Sequence, residues 1–418
     1  MRLLNTHTLN FEEFTAIPAY AILSHRWIGD EVSYDDYCSK SDREDARYDK
    51  IFQSCKLARS RKHKYIWIDT CCIDKRSSAE LSEAINSMWD WYSSASECFA
   101  FLVDVHFTSN QDEMVSRLER SAWFRRGWTL QELLAPRIVT FCTSDWRIIG
   151  QKSDKHLLPA LSDITSIPKD CIEYQFMLHT KCIAQRLSWA AKRETTRTED
   201  MAYCLLGLVG VNMPLLYGEG DKAFLRLQQE IIRQSDDESI FAWRYVSPPS
   251  GYRAGILAPH VSFFSNSHGV RLLDGKRAPY SMTNKGLEIR SDATFVPSVG
   301  VYVLPLNCGY TQQLQADAGR SVKCTIVIRA EDGAYYRVAA SRLGEHLGTM
   351  YVGRETEAVE ESTYHIKLSR WQHSYQPAFS LLGRCVIRWR ARKGRVTPGE
   401  SAEQEQTWML LEERATVE

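Results

Sequence analysis

Three short apolar runs in the first 150 residues lack the polar alternation of a half-exposed strand. They occupy residues 20–23, 65–68 and 98–103. Continuous apolar runs of this length are typical of strands covered on both faces, as in a parallel sheet. The pattern therefore predicts three buried strands in an α/β domain.

A helix is predicted between the second and third runs. Ser77 with Glu80 three residues later has the pattern of a capping box, in which each side chain satisfies an amide at the helix start. Apolar residues then follow at helical spacing: Leu81, Ala84, Ile85, Met88 and Tyr92. Strand, helix and strand form a βαβ unit with a right-handed crossover. We expect a loop between the first two strands and short helices at 112–118 and 128–135, the second stopped by Pro136.

The texture of the chain changes after residue 150. Residues 180–235 are helical in pattern, with Gly207 as a C-terminal cap of one helix and an apolar face from Ala223 to Ile231 on another. The polar run at 235–239 and the Pro-Pro-Ser-Gly sequence at 248–251 indicate a boundary. Short β-rich runs follow at 301–304, 324–328 and 385–389, which predicts an antiparallel sandwich or barrel.

We therefore predict three parts. Residues 1–150 form a parallel-sheet α/β domain, 151–238 a helical extension packed on it, and 239–418 a β-rich C-terminal domain. The fold class is α/β plus antiparallel β.

Composition narrows the class of protein. The 418 residues are 44% hydrophobic and 25% charged, which is the ordinary globular mixture. Lys plus Arg and Asp plus Glu number 52 each, so no overall field attracts nucleic acid or an anionic membrane. The basic run at 384–395 alternates as a strand with one wet face does. No apolar stretch reaches 18 residues and the N-terminus has no signal-peptide pattern, so we expect a cytoplasmic protein without a membrane span.

Several chemistries lack their motifs. The chain has no phosphate loop, no GxGxxG, no GxSxG and no HExxH, so it is not expected to be an NTPase, a Rossmann dehydrogenase, an α/β-hydrolase or a zincin. The twelve cysteines contain no CxxC pair and are expected to be reduced thiols. We predict no metal site and no firmly bound cofactor.

Three polar clusters follow predicted strands or open a short helix, at residues 24–27, 69–75 and 128–132. Ligands of an open parallel sheet bind beyond the carboxyl ends of its strands. A hydroxyl, an imidazole, a carboxylate and tryptophans together suit a flat, partly charged ligand such as a nucleotide. Structural roles are equally compatible with these residues: Ser24 and Asp69 as helix caps, His25 as a core histidine, and Glu132 as an ion-pair partner of Arg125 or Arg126.

At these clusters the sequence resembles the fungal HET (heterokaryon incompatibility) domain. The resemblance rests on YAILSHRW at 20–27, WIDTCCIDK at 67–75 and WFRRGWTLQELLAP at 123–136, and stretches at 195–203 and 213–220 extend it to about residue 235. Ile28 intervenes where the family commonly has Trp-Gly directly. The resemblance implies a fungal protein of non-self recognition and programmed cell death.

HET domains are in turn similar to TIR domains, which have a flavodoxin-like parallel sheet. The stretch from Ser121 to Leu133 resembles the TIR helix that bears the catalytic glutamate of NAD-cleaving members, and this likeness implies Glu132. We therefore expect NAD as a substrate, cleaved at the nicotinamide–ribose bond. The binding residues expected around it are Ser24, His25, Arg26, Trp27, Asp69 and Cys71.

Two alternatives stay open. The first is a non-enzymatic scaffold that forms homo-oligomers or binds other incompatibility and death-pathway proteins. The second is a cysteine hydrolase that uses Cys71 or Cys72 with His25.

Overall fold

The fold is described from a computed structural model. It covers residues 1–39, 45–245, 255–274, 279–291, 293–296, 300–311, 321–331, 334–338, 357–358 and 362–366. The predicted strand at 385–389 and the basic run at 384–395 lie outside the described residues.

The N-terminal part is built on a seven-stranded sheet. Its strands are β1 (Arg2–Asn5), β2 (Phe11–Glu13), β3 (Ala21–His25), β4 (Tyr65–Trp67), β5 (Glu97–Phe101), β6 (Val139–Cys142) and β7 (Ile148–Gln151). They lie in the order β2-β1-β4-β3-β5-β6-β7. The three predicted buried strands are confirmed as β3, β4 and β5.

The four central strands are parallel, and antiparallel strands flank them on both edges. Numbered along the chain, the parallel strands have the order second, first, third, fourth, which is the start of the flavodoxin-like order. The β1–β2 hairpin and β7 were not predicted, because strands of three or four residues at a sheet edge carry little periodicity.

Helices cover this sheet. They are α1 (Tyr34–Ser39), α2 (Asp49–Ser60), α3 (Ser78–Ser94), α4 (Gln111–Arg120) and α5 (Thr129–Leu134). The expected loop between the first two parallel strands is wrong, since α1 and α2 occupy it. The signal was present, because Ile51, Cys55 and Ala58 recur at helical spacing and are buried.

The start of α3 follows half of the predicted capping box. Ser77 accepts a hydrogen bond from the Glu80 amide, as expected. The Glu80 carboxylate does not return to Ser77, since it accepts from the Asp74 amide at 2.8 Å and from Arg2 at 2.8 Å. Glu80 therefore ties the helix start to β1.

Among the residues that the structure describes, six α-helices follow the sheet. They are α6 (Leu157–Thr165), α7 (Lys169–Glu173), α8 (Ile183–Ser188), α9 (Asp200–Tyr203), α10 (Leu206–Val209) and α11 (Lys222–Gln234). The Gly207 cap is wrong, because this glycine lies within α10 and Gly210, with φ +75°, ends that helix. Gly207 is required by packing: a Cβ there would lie 2.2 Å from Trp89 Cβ on α3.

A second, largely antiparallel sheet follows. Its strands are β8 (Val270–Leu272), β9 (Ser281–Thr283), β10 (Gly286–Ser291), β11 (Thr294–Val296), β12 (Val301–Thr311), β13 (Ser321–Glu331), β14 (Ala334–Val338), β15 (Glu357–Ala358) and β16 (Ser362–Ile366). Within the described residues only the β14–β16 pair is parallel. The antiparallel β-rich texture is confirmed.

The polar run at 235–239 is packed between the helices and this second sheet. Asp237 accepts from the Ile183 amide at 2.7 Å, at the start of α8. Glu238 accepts from the Asn307 amide on β12 at 2.7 Å. Arg337 on β14 is buried and donates to the carbonyls of Phe241 and Trp243. Domain limits at 150 and 238 stay predictions. None of the helices in the described parts of the chain combines the length and apolar character needed to cross a bilayer.

The contact of Gly207 with Trp89 generates a stability prediction. Gly207→Ala should lower the free energy of unfolding by about 1–3 kcal/mol, because the added methyl overpacks a filled contact. The same change in a Trp89→Gly background should cost little, since the Trp89 Cβ and ring atoms that the added methyl would meet are gone. Urea unfolding of the four proteins measures this cycle, and an equal cost in both backgrounds would contradict the packing account.

Candidate functional site

The centre of the site is a buried hydrogen-bond chain at the end of β3. Ser24 Oγ donates to Glu132 Oε2 on α5 and accepts from Trp123 Nε1 at 3.0 Å. Ser24 and Trp123 are almost completely buried, and Glu132 is 6% exposed. Glu132 Oε1 accepts no hydrogen bond from the described residues. This second oxygen therefore retains unused hydrogen-bonding capacity.

The segment that carries Trp123 and Glu132 is fixed from two sides. On the sheet side, the Asp104 carboxylate after β5 accepts from Ser121 Oγ and from the Ala122 amide, each at 2.7 Å. On the helical side, the buried Arg193 donates to the Arg126 carbonyl at 2.9 Å and to Thr129 Oγ1 at 3.0 Å. The position of Glu132 thus depends on both the sheet and the helices that follow it.

Gly127 allows this segment to approach the helical part closely. Its amide donates to the Glu194 carbonyl at 2.8 Å, and the Glu194 amide donates to the Arg125 carbonyl at 2.7 Å. A Cβ on Gly127 would lie 2.6 Å from Thr195 Cγ2 and 3.0 Å from Cys204 Sγ. A glycine is therefore needed between Arg126 and Trp128, because any side chain there would clash with these neighbours.

Burial sets the charge state of Glu132. It raises the pKa of the Glu132 carboxyl to about 8, against the opposing effect of the hydrogen bond from Ser24. The negative charge of Asp69 raises this pKa further, while Arg126 and Arg193 lower it. The carboxyl is therefore mostly protonated at neutral pH in the unliganded protein.

His25 and Asp69 face each other without a hydrogen bond. Asp69 follows β4, and its Oδ1 lies 3.8 Å from His25 Nε2. Trp27 Nε1 donates to Asp69 Oδ2 at 2.9 Å. Burial places the pKa of His25 well below its usual value, and the nearby positive charge of Lys50 acts in the same direction. His25 is thus neutral at pH 7.

Unsatisfied polar atoms are concentrated here. Eleven buried side-chain nitrogen and oxygen atoms in the described residues have no partner, and four of them belong to His25, Asp69 and Arg126. Buried polar groups in folded proteins are normally hydrogen-bonded. The concentration indicates a place that a ligand or water completes.

Two cations lie against the partly exposed Trp27. Lys75 Nζ is 3.7 Å from the centre of the indole ring and Arg126 Cζ is 5.4 Å from it. Both distances are within the range of cation–π contacts. Arg26, the neighbouring residue, is exposed and lines a cavity beside this cluster.

Cys71 differs from the other predicted binding residues. It is fully buried, and burial holds the pKa of its thiol well above the usual value. Cys72 is also buried, and its Sγ accepts from the Ile68 amide at 3.4 Å. Both thiols are buried away from solvent, which argues against the cysteine hydrolase alternative.

The structure brings Ser24, His25, Trp27, Asp69 and Glu132 together, as the clusters predicted. Sequence reasoning missed Asp104, Trp123 and Arg193 as parts of the site, and it considered Arg126 only as an ion-pair partner of Glu132. Trp123 and Arg126 lie inside the third motif block, so their proximity to Glu132 was a usable signal. Arg193 had none, because only tertiary packing connects it to residues 126 and 129. Among the described residues, no group of three or more His, Cys, Asp or Glu side chains could hold a metal ion.

Comparison with known proteins identifies the N-terminal part. Residues 20–115 match the family model described as Heterokaryon incompatibility protein (HET). The chain carries a HET domain. The match includes Ser24, His25 and Asp69, whereas Glu132 lies beyond its end. Residues 222–272, which span α11 to β8, match a domain of unknown function (DUF8212).

One curated relative extends the comparison beyond the HET domain. The chain is 40% identical over 240 residues to "Vegetative incompatibility protein HET-E-1" of Podospora anserina. This alignment covers 56% of the chain and 17% of the relative, so the chain spans less than a fifth of that protein's length. No solved structure matches the chain.

The pKa of Glu132 predicts how stability depends on pH. The carboxyl binds a proton in the folded state up to about pH 8 and in the unfolded state only up to about 4.5. The contribution of this carboxyl to the free energy of unfolding is fully present below about pH 4.5. It is lost as the pH rises to about 8, by up to about 1.4 kcal/mol per pH unit. In the Glu132→Gln variant the side chain keeps nearly the same shape, but it does not titrate.

We therefore expect wild type to lose unfolding free energy between pH 5 and 8 relative to Glu132→Gln. Urea unfolding at several pH values measures the difference. Parallel pH profiles for the two proteins would show that Glu132 is ionised throughout this range.

Proposed function

We propose that this chain acts in fungal vegetative incompatibility and that its HET domain cleaves NAD at the nicotinamide–ribose bond. The family description and the name of the relative support the first part. One observation carries the second: Glu132 is held at the carboxyl end of β3 with an Oε1 that accepts no hydrogen bond from the described residues, and the charge of Asp69, whose Oδ1 is unpartnered among them, acts on it. The TIR likeness and the flavodoxin-like strand order agree with this chemistry and stay part of the proposal.

The reaction needs little from the protein besides electrostatics. The bond between ribose C1′ and the nicotinamide nitrogen breaks, and its electron pair leaves on that nitrogen, so nicotinamide departs neutral. The ribose becomes oxocarbenium-like, and a carboxylate held beside it stabilises the positive charge. Water then adds to C1′ and releases a proton, which gives ADP-ribose.

A neutral Glu132 in the free protein is compatible with this role. The nicotinamide ring of NAD is a cation, and a cation beside a carboxyl group lowers its pKa. Binding of NAD therefore favours the ionised form that the reaction requires. Ser24 and Trp123 hold the carboxyl in one orientation, so little reorganisation accompanies the change of charge.

The non-enzymatic scaffold is the second candidate. The observation that favours it is the near-complete burial of Glu132, which suits a structural hydrogen bond as well as a catalytic one. Trp27 and Ile28, 38% and 51% exposed, would then contribute to a contact with a second copy or with another incompatibility protein.

The proposal predicts NAD consumption that depends on Glu132. Wild type should cleave NAD, and Glu132→Gln should lose at least about a hundredfold in rate, because an amide cannot stabilise the developing cation. Glu119→Gln, which removes an exposed carboxylate from α4, is the matched control and should retain full activity. Nicotinamide release across a range of protein concentrations measures the rate.

Equal NAD loss in wild type and Glu132→Gln would exclude Glu132 as the catalytic group. Expression in a fungal host separates the two candidates. If the protein is an NAD-cleaving enzyme, the Glu132→Gln variant should fold and should not kill the host cell. If the protein is a non-enzymatic scaffold, the variant should still kill the cell, and its apparent molecular mass should rise with protein concentration.

A further inference from the structure

A second feature beside the site is a cavity of about 410 Å³ between the segment that carries Trp123 and the loop that leads into α9. Its walls come from residues 122–128 on one side and 194–200 on the other, with Arg26 at the rim. The two walls are tied together by the backbone hydrogen bonds between residues 125–127 and Glu194. The volume is in the range of small-molecule sites.

Three guanidinium groups line this cavity. Arg26 is exposed, and none of its side-chain atoms is engaged by the described residues. Arg125 is also exposed, and within the described parts of the chain its side chain donates only to the Arg120 carbonyl, at 3.3 Å. Arg126 Nε is buried without a partner. Donors of this kind, planar and unengaged, are suited to phosphate oxygens.

The acidic groups of the cavity do not cancel this charge. Asp200 accepts a hydrogen bond from the Tyr217 hydroxyl at 3.0 Å, and burial raises its pKa. It is therefore engaged with its own neighbours. Glu194 is fixed through its backbone, and its side chain is exposed to solvent. The cavity therefore has three arginines and two acidic residues. Of these two, Glu194 has a solvent-exposed side chain and Asp200 is hydrogen-bonded to Tyr217.

Arg126 connects the cavity to the Glu132 cluster. It lines the cavity, its guanidinium lies 5.4 Å from the Trp27 ring, and its charge acts on both Glu132 and Asp200. A ligand bound to this guanidinium would therefore lie between the cavity and the Glu132 cluster. Trp128 contributes an aromatic wall to the cavity, which suits a sugar or a base.

We propose that this cavity binds the phosphate groups of a nucleotide, with Arg26, Arg125 and Arg126 as the anion ligands. The inference rests on the proposed function for the identity of the nucleotide: the pyrophosphate of NAD occupies the cavity while its nicotinamide riboside reaches Glu132. The binding of phosphate itself does not require that NAD be cleaved.

Calorimetry with inorganic pyrophosphate tests the cavity directly. Wild type should bind pyrophosphate, and the double variant Arg26→Gln with Arg125→Gln should bind it at least about tenfold more weakly for each arginine removed. Arg137→Gln is the matched control, because Arg137 is exposed and precedes β6 at the opposite end of the sheet. Both substituted arginines are exposed, so the variants should keep the thermal stability of wild type.

Steady-state kinetics give the second readout. The double variant should raise KM for NAD with little change in kcat, and leave the KM for nicotinamide riboside, which has no phosphate, unchanged. Equal pyrophosphate binding by wild type and the double variant, or no binding by either, would overturn the proposal. An equal rise in both KM values would also overturn it, because the defect would then not concern phosphate.

The two proposals fail in different ways. Pyrophosphate binding that depends on the arginines, without NAD cleavage, supports the cavity and removes the proposed activity. NAD cleavage with an unchanged KM in the double variant supports the activity and removes the cavity as its phosphate site.

Discussion

The hydrogen-bond chain from Trp123 through Ser24 to Glu132 is the interaction on which the site depends. It joins the end of a central strand to a short helix that follows more than a hundred residues later. A buried carboxyl, hydroxyl and indole satisfy one another there, and loss of any member would leave the others unpaired in a low-dielectric interior. The same burial that stabilises this hydrogen-bond chain also keeps the Glu132 carboxyl protonated.

The chain of contacts continues away from the sheet. Arg193 holds the segment between Trp123 and Thr129 by hydrogen bonds. The helix that precedes Arg193, α8, begins with backbone amides that donate hydrogen bonds to the side chains of Asp237 and Ser239. Glu238 then contacts β12 of the second sheet. The candidate site, the helices that follow the first sheet and the second sheet are therefore packed against one another. The HET family match ends at residue 115, whereas the site needs residues up to at least 193.

Sequence reasoning predicted what local pattern determines. The buried strands β3, β4 and β5, the helix α3, the short helix that bears Glu132 and the clustering of Ser24, His25 and Asp69 all follow from periodicity and strand ends. It failed where tertiary packing decides. Gly207 has the appearance of a cap, yet Trp89 explains it. Arg193 has no local signal, and the α2 helix was missed although Ile51, Cys55 and Ala58 had helical spacing.

We infer from its burial that Glu132 is neutral in the resting protein and that it becomes ionised when a cationic ligand binds. Infrared difference spectroscopy between wild type and Glu132→Gln at pH 7 tests it most directly, since a protonated carboxyl has a carbonyl stretch that a carboxylate lacks. We expect a protonated-carboxyl band that is lost in the variant and that diminishes in wild type when NAD is added. A carboxylate signal from Glu132 already present without ligand at pH 6 would contradict it.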